Sequence, residues 1–241
     1  MAYLDTVYDR DPERARWEID LYFFQLDTSL LPGGVLAAAL FALFFLYLPQ
    51  GDMLDLGLSS ETIRAGRIST LFTHMAAHAG FAHLWMNAVA LLALSRILIR
   101  RFGLGAHVLL AHGALLFLSG LAGGLLFLAV NPYGTVPMLG ASGAIFGLLG
   151  FLDRLDKESD TLIPLRSVSV GRALFDFATW NLVLFLALYV LVWLLGGTGG
   201  LAWEAHLGGF AVGLLGAPFF LRWASRGAPV EEALPSPDGA P

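Results

Sequence analysis

The most informative stretch of this chain is GASGAIFGLLGFLDR, residues 140–154. It holds about a dozen apolar or small residues before Asp153 and Arg154, whereas an ordinary membrane-spanning helix needs about 20. This length predicts a buried or re-entrant helix, so the loop before it, residues 131–139, must dip toward the membrane interior. A serine, Ser142, stands at the start of the run.

The composition of the whole chain is that of a membrane protein. Of its 241 residues, 57% are hydrophobic and 14% are charged, and the mean hydropathy is +0.71, outside the range of soluble globular domains. With the short run at 141–152, the candidate spans lie near residues 30–48, 82–100, 106–130, 173–195 and 204–222. The prediction is an all-α polytopic membrane protein with six transmembrane helices and a short central fourth helix.

The basic residues predict the orientation of these spans, because cytoplasmic loops of membrane proteins hold an excess of Lys and Arg. If six spans alternate, only Arg64 and Arg67 fall on one side. The basic residues on the other side are Arg10, Arg14, Arg16, Arg96, Arg100, Arg101, Arg154, Lys157, Arg166, Arg172, Arg222 and Arg226. We therefore expect both termini to be cytoplasmic.

The chain divides into a membrane core and two flanking segments. A cytoplasmic N-terminal segment, residues 1–28, precedes a helical core of residues 29–223, and a Pro- and Ala-rich tail, residues 224–241, is predicted to be disordered. The acidic and aromatic N-terminal segment does not resemble a cleavable signal peptide. The net charge of -5 offers no basic surface for nucleic acid, and the absence of cysteine excludes disulfides, a thiolate nucleophile and a Cys-ligated metal.

Polar side chains at membrane depth mark a candidate site, because such groups are costly unless they face protein or water. Ser142 lies eleven residues before the charged end of its run, roughly 16 Å from the cytoplasmic boundary at about 1.5 Å per residue. Asn87 lies nine residues before Arg96, roughly 14 Å from the same boundary by the same rise. His83 and His206 are expected to lie farther from that boundary, in the outer half of the membrane. Three helices thus bring these groups to a similar depth.

These residue types fit a serine hydrolase. A serine hydroxyl is a weak nucleophile that needs an adjacent base, so His206 is the candidate base for Ser142. Glu204 lies two positions from His206, on the opposite helix face, and no other carboxylate is well placed, which predicts a Ser-His dyad. His83 and Asn87 share one helix face, and with the Ser142 backbone N–H they are candidate donors of an oxyanion hole.

Small residues predict close packing of the fourth and sixth spans, since small faces let membrane helices approach each other. They are Gly143, Gly147 and Gly150 in the fourth span and Gly209 and Gly213 in the sixth. Phe146, one turn below Ser142, either stacks against the imidazole of His206 or faces lipid. A serine between glycines is also typical of helix packing, and a lone membrane histidine of interhelical hydrogen bonding, so the combination carries the hypothesis.

Together these residues resemble the rhomboid family of intramembrane serine proteases. The resemblance rests on three motifs in the family's order: His74-x3-His78-x4-His83-x3-Asn87, Gly140-Ala141-Ser142-Gly143 and Ala205-His206-x2-Gly209-x3-Gly213. It covers residues 30–222 and implies a rhomboid-like bundle that hydrolyses peptide bonds in or next to transmembrane segments. It also implies transmembrane protein substrates, the lipid bilayer as surroundings, a prokaryotic inner membrane, and neither a cofactor nor a metal.

The resemblance also assigns roles to individual residues. Ser142 is the nucleophile and His206 the base, while His83, Asn87 and the Ser142 N–H form the oxyanion hole. The supporting residues that it implies are His74, His78, Gly140, Gly143, Phe146, Gly209 and Gly213.

The first loop departs from the family's pattern. Ser69 and Thr70 stand where many members carry a Trp-Arg pair, and Arg67 is nearby but offset. The apolar residues that still predict a partly membrane-embedded loop are Met53, Leu54, Leu56, Leu58 and Phe72.

Two other interpretations stay open. His74, His78 and His83 can be read as ligands in a metal enzyme or transporter, although no His-Glu-x2-His sequence and few carboxylates accompany them. A non-catalytic rhomboid-like protein that binds membrane clients should lack the serine or the histidine, and both are present.

A movable gate is predicted as well, because the site needs water while its substrate comes from lipid. The glycine-rich loop Gly196–Gly200, with the fifth span beside it, is the candidate gate. Trp180 and Trp203 are candidate interfacial anchors.

Overall fold

The computed structural model describes residues 27–50, 53–159, 161–194 and 200–225. Its α-helices are α1 Leu31–Tyr47, α2 Ser60–Arg64, α3 Thr70–Thr73, α4 Phe81–Phe102, α5 Ala106–Val130, α6 Ser142–Asp153, α7 Val168–Leu194 and α8 Trp203–Ala224. The predicted segment 1–28, the tail 224–241 and the loop Gly196–Gly200 lie almost entirely outside the described residues.

The described helices confirm the predicted all-α polytopic membrane bundle. Those long and apolar enough to cross a membrane are Thr28–Gln50, Phe81–Phe102, Ala106–Val130, Val168–Val190 and Trp203–Ala224. Between the third and fourth of them stands α6, which has 12 residues.

The largest difference from the predicted boundaries is the start of α7, which begins at Val168 rather than near residue 173. The Ser167 hydroxyl accepts the Val170 N–H at 3.2 Å and so caps an additional first turn. That turn mixes two valines with Ser169 and Gly171 and leads into Arg172, so a search for a continuous apolar run leaves it out.

The short helix α6 lies at the centre of the bundle, packed against α4, α5 and α8. Its Leu148 and Phe151 side chains are 0% and 1% exposed, and they share a core with Leu115 of α5 and Phe220 of α8. Because its neighbours surround it, α6 does not need the length of a helix that faces lipid.

Glycines bring the backbones of α6 and α8 into direct contact. A β-carbon at Gly209 would collide with the carbonyl oxygen of Gly143, and one at Gly213 with that of Gly147. One at Gly150 would collide in turn with the backbone of α8. The obstacles are backbone atoms, so larger residues would force the two helices apart.

The loop that leads into α6 is held inside the protein. Leu58 and Met138 exchange backbone hydrogen bonds of 3.0 and 2.8 Å, and both side chains are buried. The Gly140 N–H donates to the carbonyl of His74 at 2.9 Å. These bonds tie the start of α6 to the first loop.

In the first loop, Thr70 is the centre of a buried hydrogen-bond network. Its side chain is 1% exposed, and its hydroxyl donates to the Arg67 carbonyl at 2.7 Å and lies 3.2 Å from the Thr62 hydroxyl. Its own carbonyl accepts from His74 Nδ1 at 2.9 Å. A small threonine therefore organises the loop at one of the two positions where the family's Trp-Arg pair is absent.

At the opposite end of the bundle, Asp27 forms ion pairs with two basic residues of α4. Its carboxylate accepts from Arg96 at 2.7 and 3.0 Å and from Arg100 at 2.6 Å. The Ser29 hydroxyl and these two guanidinium groups hold the pKa of Asp27 well below its usual range. Nearby, Arg101 donates to the Asp156 carbonyl at 3.0 Å, so the basic end of α4 lies beside the loop between α6 and α7.

Candidate active site

Ser142 and His206 meet where α6 contacts α8. Ser142 is the first residue of α6, and its Oγ lies 2.8 Å from Nε2 of His206. His206 is 3% exposed, whereas Ser142 is half-buried. The glycine contact holds this pair together, because Gly143 follows the serine and Gly209 lies one turn after the histidine.

The second ring nitrogen of His206 also has a side-chain partner. The predicted Ser-His dyad had no such third member. Nδ1 lies 2.6 Å from Oδ1 of Asn181 on α7, and the Asn181 amide N–H donates to the Phe177 carbonyl at 2.9 Å. The prediction was incomplete because it considered carboxylates only. The available signal was a lone asparagine in the apolar fifth span.

Phe146 contacts the imidazole of His206 rather than lipid alone. The two rings are stacked at a centroid distance of 4.3 Å and an angle of 29°. Phe177 of α7 meets Phe146 edge-on at 5.4 Å and stacks on Phe210 of α8 at 4.5 Å. These aromatic rings enclose one side of the histidine.

His83 and Asn87 converge beside the chain just before Ser142. A β-carbon on Gly140 would lie 2.8 Å from His83 Nε2 and 3.7 Å from Asn87 Nδ2. Gly140 has φ +123°, a conformation that favours glycine. The Asn87 amide donates one N–H to the His83 carbonyl at 3.0 Å, which leaves its second N–H for another acceptor.

His74 and His78 lie behind these groups. His74, 2% exposed, links the first loop to Gly140 through its backbone carbonyl. His78, 1% exposed, meets the ring of His83 edge-on at 5.1 Å. Within the described residues, no three His, Asp or Glu side chains are grouped so that they could hold a metal ion.

Helix α7 covers the site while remaining mostly exposed itself. Between Val168 and Val190, only Val170 and Asn181 are buried among the side chains that the structure describes. The candidate anchors Trp180 and Trp203 are 64% and 43% exposed. The Asn181 side chain therefore points inward from a helix that otherwise faces outward.

Comparisons with known proteins match this chain to one family. The Rhomboid domain model matches residues 65–223, which is more than half of the chain. RHOMBOID-like protein 5 of Arabidopsis thaliana is 40% identical over 73 residues, covering 30% of this chain and 22% of that protein. Rhomboid protease GluP of Bacillus subtilis (strain 168) is 37% identical over 93 residues, covering 39% of this chain and 17% of that protein.

The chain belongs to the rhomboid family, as the three motifs indicated. With its apolar helices, this membership identifies an integral, multi-pass membrane protein. The matched segments amount to about a fifth of the length of these two relatives.

Proposed function

We propose that this protein is an intramembrane serine endopeptidase that cleaves peptide bonds in or next to transmembrane segments of membrane proteins. The observation that carries the proposal is the 2.8 Å contact between Ser142 Oγ and His206 Nε2, at a helix start where two side-chain donors converge. The Bacillus subtilis relative is named rhomboid protease GluP, which supports the same reaction.

In the proposed reaction, Ser142 Oγ attacks the carbonyl carbon of the scissile peptide while its proton passes to His206 Nε2. The tetrahedral intermediate collapses when the C–N bond breaks and His206 returns the proton to the leaving amine. Water, deprotonated by the same histidine, then hydrolyses the acyl-enzyme and restores the serine. No cofactor takes part in this sequence.

The negative charge of the intermediate needs donors that are already in place. His83 Nε2 and the free N–H of Asn87 are proposed for this role, since both point toward the segment beside Ser142. The Ser142 N–H is the third, because the first N–H groups of a helix have no partner within it. His74 and His78 would support these donors from behind.

We also propose that the protein lies in a prokaryotic inner membrane with both termini on the cytoplasmic side, and that the site opens toward the other side. Arg100, Arg101 and Arg154 lie at the ends of α4 and α6 away from Ser142, in agreement with the excess of basic residues on cytoplasmic faces. In the same proposal α7, with the loop after it, is the gate for substrates arriving from lipid. Its largely exposed surface supports this role.

The test is cleavage of a panel of single-pass membrane proteins by purified protein in liposomes. Wild type should cut at least one of them, and Ser142→Ala and His206→Ala should cut none. Ser95→Ala is the matched control, because Ser95 lies 2.9 Å from His112 Nε2 in a second buried Ser-His contact remote from the site.

Ser95 is 0% exposed and His112 3%, so this second pair is closed to substrate. Ser95→Ala should therefore keep activity within about twofold, since it removes only a buried hydrogen bond. Wild-type protein that binds the panel without cutting it would instead support the non-catalytic, client-binding interpretation.

A further inference from the structure

Asn181 is the one buried polar residue among the described side chains of α7, and its surroundings are specific. The inward face of this helix carries Val170, Phe177 and Asn181, at spacings that place them on one stripe. The two apolar members pack against α6 and α8, whereas Asn181 meets the ring of His206. Its position is therefore determined by the packing of the whole stripe.

The hydrogen bonds of Asn181 determine which way its amide faces. Its Nδ2 donates to the Phe177 carbonyl at 2.9 Å, an acceptor that Oδ1 could not use. Oδ1 consequently faces His206 at 2.6 Å. An amide oxygen has no hydrogen to donate, so the proton in this contact must belong to His206 Nδ1.

This assignment has a direct consequence for the base. A neutral imidazole carries one N–H, and the nitrogen without it is the acceptor. With the proton on Nδ1, the lone pair of Nε2 faces the Ser142 hydroxyl at 2.8 Å. In the other tautomer, Nε2 carries a proton and cannot accept the hydroxyl proton of the serine.

We propose that Asn181 is a positioning residue that holds His206 in the Nδ1–H tautomer, making the site a Ser-His-Asn arrangement rather than a simple dyad. The proposal rests on the proposed function and concerns the same site. The Asn181 side chain bonds His206 and the Phe177 carbonyl and not Ser142, so it acts on the nucleophile through His206. Since it lies on α7, the bond also ties the tautomer of the base to the seating of that helix.

The test compares Asn181→Leu, which removes the acceptor at similar volume, with Asn181→Asp, which keeps an acceptor oxygen. We expect the leucine variant to lower kcat by about 10- to 100-fold, because Nδ1–H loses its partner in a buried site, while KM stays within about twofold. The aspartate variant should recover most of the loss. Leu110→Ala on α5, an exposed leucine (62%) that belongs to neither the site nor α7, is the control and should leave both constants unchanged.

Nitrogen-15 NMR of labelled protein reads the tautomer without depending on catalysis. The His206 signal, identified by its absence in His206→Gln, should report a protonated Nδ1 in wild type and protonation shifted to Nε2 in Asn181→Leu. Asn181→Ala replaces the leucine variant if that variant does not fold.

Unchanged kcat, a change in KM alone, or a fall in kcat with an unchanged tautomer would overturn the proposal. An inactive wild type with a protonated Nδ1 would contradict the proposed protease function and leave the tautomer assignment standing. The two failures are therefore distinguishable.

Discussion

Replacing Gly209 with alanine tests how closely the two helices of the site must approach. A β-carbon there would collide with the backbone carbonyl oxygen of Gly143, and no side chain can rotate away to relieve the contact. Ordinary van der Waals separation between such atoms is about 3.5 Å, so α6 and α8 must move apart by about 1 Å or more.

This displacement falls directly beside Ser142 and His206. Adding about 1 Å to their 2.8 Å contact exceeds the usual hydrogen-bond limit of about 3.2 Å. Because a misplacement of about 1 Å can cost about 100-fold in rate, we expect Gly209→Ala to slow serine labelling by a fluorophosphonate about 100-fold. Overpacking should also lower the free energy of unfolding by about 1–3 kcal/mol.

Both quantities can be measured in detergent micelles, as a labelling rate and as an unfolding titration. Gly113→Ala on α5 is the matched control, because a β-carbon there meets no heavy atom within 4 Å and alanine favours the helix by up to about 1 kcal/mol. It should label at the wild-type rate and be at least as stable. Labelling of Gly209→Ala within about twofold of wild type would show that the site does not need the close approach of α6 and α8.

Three further predictions concern the donors, the aromatic ring and the cytoplasmic end. His83→Ala and Asn87→Ala should each lower kcat by about 100-fold or more, as loss of one oxyanion donor does, while unfolding measurements check that each variant is folded. A kcat equal to that of wild type would exclude the residue from the oxyanion hole. Phe146→Leu should lower kcat/KM by about 3- to 10-fold, because stacking on His206 contributes about 0.5–1.5 kcal/mol, and unchanged peptidase kinetics would show that the stacking is dispensable. The pKa of Asp27 is lowered in the folded protein, so the stability that this carboxylate gives the fold should be constant above about pH 4, the unfolded pKa, and fade as the pH falls further. Thermal midpoints of wild type and Asp27→Asn should therefore differ at pH 7 and converge in acid, and a constant difference would contradict the ion pair.

The membrane helices could be predicted closely because their signal is local. An apolar run either reaches the length of the bilayer core or does not, and α6 was recognisable as an exception from its own residues. The extra turn of α7 was not, because it depends on a cap from Ser167. Its two valines, Val168 and Val170, are separated by Ser169 and followed by Gly171 and Arg172, so they do not read as part of a continuous apolar run.

The site could be predicted in part, since Ser142, His206, His83 and Asn87 belong to motifs with fixed spacing. The Asn181 contact depends instead on how α7 seats against α8. Asn87, Asn131 and Asn181 each donate to the carbonyl four residues earlier, so each can satisfy part of its amide within its own helix. Only the fold shows that the oxygen of one of them faces an imidazole.

The first loop illustrates the same limit in another way. Departure from the Trp-Arg pattern indicated altered hydrogen bonding, but not the network that replaces it. That network joins Thr62, Thr70 and His74, and it requires α2 and α3 to lie side by side. Hydroxyl groups have too many acceptable partners for the sequence to select one.

The proposed activity requires that Ser142 is a nucleophile activated by His206. Its most direct test is mass-spectrometric mapping of the residue that a fluorophosphonate modifies in the purified, membrane-reconstituted protein. We expect a single adduct on Ser142 that disappears in His206→Ala and persists in Ser95→Ala. An adduct on another serine, or equal labelling of Ser142 without His206, would contradict it.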